Sequence, residues 1–148
     1  MADMSVRLGK ESVRVDEETT DPQVVPYLLY VDAGAAMEWL VNAFGFTVRA
    51  RDTRRDGTVR HGELQLDRGG VIMLGSAEPG YLGPARLGGA TQLVRIRVTD
   101  LESHRDQTKA ISSEVSEVQS GPPGWRSYSV SDPEGHQWYF TEPSDRDT

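Results

Sequence analysis

The spacing of apolar residues along this chain switches from strand-like to helix-like and back, then does so a second time. Val24-Val25-Pro26-Tyr27-Leu28-Leu29-Tyr30-Val31 is a short apolar run ended by Asp32-Ala33-Gly34. Beyond it, Met37, Leu40, Val41 and Phe44 fall at i, i+3, i+4 and i+7, the stripe of an amphipathic helix. Asp32 suits the N-cap of that helix and Gly45 its stop. Three strands are predicted to follow, over about 46–52, 58–66 and 70–75, with Asp56-Gly57 as the hairpin turn between the first two.

The second half repeats the plan: a strand over 92–99, a helix over about 101–111, and strands near 114–118, 125–131 and 136–142. This helix is weakly amphipathic, so its prediction rests on the repeat. The clearest landmark is Asp132-Pro133-Glu134-Gly135-His136, a turn between aromatic-rich runs. Asp-Pro opens such a turn and Gly accepts the backbone geometry that closes it. A weaker copy, Asp67-Arg68-Gly69-Gly70, lies 65 residues earlier, and Tyr30-Val31-Asp32 returns after 68 residues as Val98-Thr99-Asp100. Two landmarks at nearly equal offset indicate an internal duplication. Residues 76–91 read as the linker between modules, and Ser120-Gly121-Pro122-Pro123-Gly124 as a loop.

Composition changes the picture mainly at the ends. The 148 residues suffice for one domain or two small modules sharing a core. Residues 1–23 and 143–148 are polar and charged and are expected to be mobile, which leaves a folded domain over 24–142, with modules at 24–75 and 92–142. The net charge of −7, with scattered basic residues, argues against nucleic acid as a partner. No apolar run approaches the ~20 residues of a membrane span. The chain has no cysteine, so disulfides, thiolate metal sites and a cysteine nucleophile are excluded. A cytoplasmic protein is expected.

A strand–helix–three-strand unit repeated twice resembles the vicinal oxygen chelate superfamily, which includes glyoxalase I, extradiol dioxygenases, fosfomycin-modifying enzymes and bleomycin resistance proteins. The resemblance covers roughly 26–142 and rests on four features. These are Tyr30-Val31-Asp32 before a helix ending Ala43-Phe44-Gly45-Phe46, His61-Gly62-Glu63-Leu64, Gly124-Trp125-Arg126, and Asp132 to His136. It implies an α+β fold in which two βαβββ modules form a partly open, mixed-sheet, barrel-like cleft, within a homodimer.

Strand alternation then assigns faces. In strand 92–99, Val94, Ile96 and Val98 take the core face, so Arg95 and Arg97 point into the cleft. In strand 58–66, Leu64 and Leu66 take the core face, leaving His61, Glu63 and Gln65 opposite. By the 65-residue repeat, His61 and Glu63 correspond to Arg126 and Tyr128. Trp138 and Phe140 read as buried, which turns Gln137 and Tyr139 inward, and Tyr27 and Trp125 add aromatic walls. The candidate ligand-binding residues are thus Tyr27, His61, Glu63, Arg95, Arg97, Trp125, Arg126, Tyr128, Gln137 and Tyr139. His104 lies in a charged stretch and reads as solvated, and His136 as structural or surface.

The metal enzymes of the resembled family carry ligands on the first and last strand of each module. Carried over by the landmarks, those positions hold Val25, Met73, Leu93 and Tyr139, none a usual ligand for a divalent ion. His61 and Glu63, two apart on one strand, lack a third ligand, and an ion pair of Glu63 with Arg95 or Arg97 is the plainer expectation. The resemblance and the inferred cleft together imply a protein that sequesters a planar or anionic drug or metabolite without metal or other cofactor. The alternatives are a lyase, isomerase or oxygenase of the same fold with His61 as base and Glu63 as its partner, or a non-catalytic interaction domain.

Overall fold

The computed structural model of the protein describes residues 5–8, 11–14, 21–122 and 124–143. In chain order the elements are β1 (Ser5–Leu8), β2 (Glu11–Arg14), β3 (Tyr27–Tyr30), α1 (Ala33–Phe44), β4 (Thr47–Thr53), β5 (Val59–Gln65) and β6 (Val71–Ser76). The rest are α2 (Pro84–Leu87), β7 (Leu93–Arg97), α3 (Leu101–Lys109), β8 (Gln119–Gly121), β9 (Trp125–Ser131) and β10 (Gln137–Pro143). Within the segment expected to be mobile, β1 and β2 pair as an antiparallel hairpin.

Two mixed four-stranded sheets carry the fold, ordered β3-β6-β5-β4 and β7-β10-β9-β8, with no closed barrel. In each, the first strand of the module runs parallel to the last, and the remaining pairs are antiparallel. This is the α+β, twice-repeated βαβββ plan that the apolar periodicity predicts. Asp32 caps α1 by accepting from the Ala35 amide at 3.0 Å, and Gly45 stops it with φ of 81°. Asp100 caps α3 in the same way, through the Ser103 amide.

The predicted strand near 114–118 is reduced to a single bridge between Val115 and Val130. The edge strand is instead β8, which takes Ser120 and Gly121 out of the predicted loop. Pro122 ends it, because proline offers no amide to a ladder. The linker contains the single turn α2, and the turn at Gly135 packs against it. A Cβ at Gly135 would stand 2.9 Å from the Ala85 nitrogen, and its φ of 93° also demands glycine.

The modules meet through α1 and α3. Met37, Leu40, Ala43 and Phe44 on α1 are buried, as the stripe predicts, and Phe44 lies 5.2 Å from Trp138 and 4.6 Å from Phe140, ring centre to ring centre. The Thr108 hydroxyl of α3 donates to the Ala43 carbonyl at 3.0 Å. His104 corrects the reading of a solvated side chain. Its ring lies 4.3 Å from that of Phe140, with Nδ1 2.6 Å from the Tyr128 hydroxyl and Nε2 3.1 Å from the Phe44 carbonyl oxygen. Burial holds its pKa below 6.5 despite the Phe44 contact. The charged neighbours Glu102, Arg105 and Asp106 obscure a position of α3 that faces the other helix.

Candidate functional site

The helices cover one face of each sheet and leave the other open. On module two the open face is a cleft of about 700 Å³ lined by side chains of β7, β8, β9 and β10. Arg95, Ser127, Ser129, Tyr139 and Thr141 alternate with buried Ile96, Tyr128, Val130, Trp138 and Phe140, so the period-two pattern builds floor and core from the same strands. The Arg95 guanidinium sits 5.0 Å from the centre of the Trp125 ring. β10 lies between the strands that carry these two residues, so their stack crosses above its cleft-facing side chains. Ser127 donates to the Tyr139 hydroxyl at 3.1 Å. Thr141 is 1% exposed, and its Oγ1 has no hydrogen-bond partner among the described residues.

The structure brings Arg95, Trp125 and Tyr139 together, as the sequence predicts, and separates others. Arg97 lines a different hollow, of about 220 Å³, with Asp67, Asp100 and Gln107. Gln137 is tied into its own hairpin through Ser131 Oγ at 2.6 Å and the Gly135 carbonyl at 3.1 Å. Arg126 and Tyr128 lie on the helix face instead of the cleft face. Arg126 pairs with Glu102 of α3 at 2.5 Å and Glu142 at 3.3 Å. Tyr128 is fully buried, and burial pushes its phenol up to about 12. The cause is a one-residue error in the repeat. β5 and β9 superpose at 66 residues, since Glu63 pairs with Met73 and Ser129 with Tyr139. His61 and Glu63 therefore correspond to Ser127 and Ser129, and a slip of one turns every side chain to the other face.

On module one the open face carries a polar chain. The Tyr27 hydroxyl lies 2.8 Å from His61 Nδ1, and the two rings stack. His61 Nε2 lies 2.8 Å from one Glu63 oxygen, and Arg49 Nε forms an ion pair with the other at 3.0 Å. Glu63 thus pairs with Arg49, not with Arg95 or Arg97. Arg49 was invisible to strand alternation because a register shift between Val48 and Ala50 breaks the pleat of β4 at that point. Burial, and then the Glu63 charge, hold the Tyr27 phenol above its usual range, so it stays a proton donor.

Among the described residues, the positions at which the resembled family holds its metal carry no fitting donors. Val25 and Leu93, the first-strand positions carried over from the family, are apolar, and two residues on, Tyr27 pairs with Met73 and Arg95 with Tyr139. An arginine and a thioether beside two phenols do not suit a hard or borderline divalent ion. Among the described residues, no three His, Asp or Glu side chains converge.

Comparison with known proteins agrees with this fold. The Glyoxalase/Bleomycin resistance protein/Dioxygenase superfamily matches residues 23–140. The chain belongs to that superfamily. An uncharacterized protein of Mycobacterium bovis is 29% identical over 129 residues, which cover 83% of this chain and 84% of the relative. The crystal structure of TioX from Micromonospora sp. ML1 superposes with a TM-score of 0.65 at 33% identity, over 82% of this chain and 98% of TioX. The bleomycin-binding protein of Streptomyces verticillus, solved with copper(II)-bleomycin, shares the fold with a TM-score of 0.61 at 21% identity, over 82% and 95% of the two chains. Among the described residues no helix is long and apolar enough to cross a membrane.

Proposed function

We propose that this superfamily member is a metal-independent binding protein that sequesters a planar or anionic drug or metabolite in the module-two cleft. The observation that carries this reading is the Arg95–Trp125 stack over a hydroxyl-bearing floor in a cleft of about 700 Å³, the size range of small-molecule sites. Trp125 offers a flat apolar face and Arg95 a fork of donors. The bleomycin complex of the Streptomyces verticillus protein supports a binding role for this fold. A homodimer belongs to the same proposal, because exposed Tyr27, Leu29 and Leu93 leave apolar surface beside both open faces. A cytoplasmic location is proposed with it, in keeping with a chain that has no cysteine.

The test is a thermal-shift screen of planar aromatic compounds in the presence of EDTA. Binders should raise Tm equally with and without the chelator, and Trp125→Ala should remove the rise. A rise that needs added divalent ion would overturn metal independence.

The Tyr27–His61–Glu63 chain favours a second reading, acid–base chemistry without metal. It has the connectivity of a proton donor, a base and an orienting carboxylate. If a turnover is found, His61→Ala should lower it at least ~100-fold; an unchanged rate would remove His61 from the mechanism.

A further inference from the structure

The charge and the hydrogen-bonding state of the module-two cleft point to a narrower ligand class. We propose that the cleft selects aromatic anions that carry a second polar group on the ring edge. Trp125 stacks the ring, Arg95 takes the carboxylate and Thr141 Oγ1 meets the edge group. This inference rests on the cleft being a ligand site.

The chain has 23 acidic and 16 basic residues, yet the cleft is lined by one arginine and no carboxylate. The nearest acidic side chain along β10, Glu142, points to the helix face and pairs there with Arg126 at 3.3 Å. A cationic ligand would meet Arg95 with nothing to offset it. An anion would meet a guanidinium that has no ion-pair partner among the described residues. Among the described residues Arg95 is held only by the Trp125 ring, an exposed cation–π contact. A carboxylate offers it a bidentate, charge-assisted pair instead.

Thr141 supplies the independent observation. A buried hydroxyl without a partner is destabilising, and native structures seldom keep one without a reason. Its place beneath the Arg95–Trp125 stack, opposite Ser127 and two residues from Tyr139, puts it about 7 Å along the strand from the level of Arg95. That separation suits opposite edges of one fused ring pair. A ring that enters beside Trp125 and draws Arg95 toward its carboxylate brings a hydroxyl or N–H within reach of Oγ1.

The test titrates the full-length protein, in EDTA, with 2-naphthoate, 2-naphthamide and 2-naphthylmethylammonium, which share a ring and differ in charge. Calorimetry should show naphthoate binding about tenfold tighter than the amide, with the ammonium weakest. Arg95→Gln should bring naphthoate down to the level of the amide. The 6-hydroxy derivative of 2-naphthoate, with its hydroxyl at the far edge of the ring pair, should bind more tightly than 2-naphthoate to the wild-type protein, and equally to Thr141→Val. Amide or ammonium binding as tight as naphthoate overturns the charge selection. A hydroxyl gain that survives Thr141→Val overturns the role of Thr141. If none of the three binds while the thermal-shift screen still yields a Trp125-dependent ligand, the class is wrong and the cleft reading stands. If that screen also yields nothing, both fall.

Discussion

The hydroxyl of Tyr30 donates a 2.6 Å hydrogen bond to the carboxylate of Asp132, 102 residues away in the other module. The same Asp132 oxygen accepts from the Trp138 indole at 3.0 Å, and the second oxygen accepts from the amides of Glu134 and His136. Glu134 then reaches back to the Val31 and Asp32 amides at 2.7 and 3.0 Å. The turn that reads as a hairpin signal is therefore also the clasp between modules.

Tyr30→Phe should cost about 1.5–3 kcal/mol, the worth of a buried bond to a charged acceptor. Burial and Asp132 hold the Tyr30 phenol far above its usual pKa, so it donates at every working pH. Asp132→Ala should cost more, because it leaves two buried donors unpaired. Urea denaturation measures both, and equal losses would contradict the clasp.

Gly62 lets α1 rest against β5. A Cβ there would stand 2.8 Å from Met37 Cε and closer still to Sδ. Gly62→Ala should destabilise by about 1–3 kcal/mol through overpacking. In the Met37→Ala background the same change should cost much less, since the two sites share one space. Additive losses would contradict the contact.

His104 makes stability depend on pH. Its folded pKa lies below the ordinary 6.5, so the unfolded chain binds the proton more readily. Stability from this group is full above pH 6.5 and falls as the pH drops below it. Denaturation between pH 6.5 and about 5, above the carboxylate range, should show that slope. His104→Gln should flatten it, and an unchanged slope would assign the effect elsewhere.

The strands and helices were legible because apolar periodicity is local: Met37 to Phe44 and the alternation through Trp138 and Phe140 needed no tertiary information. The cleft was legible as far as alternation held, which placed Arg95 and Tyr139; Trp125 entered as an aromatic wall, against the facing that the repeat offset gave its neighbour Arg126. Arg126 and Tyr128 were lost to one residue of repeat offset, to which facing is maximally sensitive. Arg49, Thr141 and the Asp132 clasp depend on pairings between distant segments, which no window of sequence contains.

Exposed Leu29 and Leu93 flank the open faces at 38% and 52% exposure. Sedimentation velocity at micromolar concentration should give a dimer, and Leu93→Glu should weaken it. A wild-type monomer would contradict the proposed assembly.

Native mass spectrometry of freshly purified protein, set against its denatured mass, tests the proposed binding role most directly. The account predicts a dimer carrying an organic adduct and no metal, with the adduct lost in Trp125→Ala. A stoichiometric divalent ion held from the cleft would contradict it.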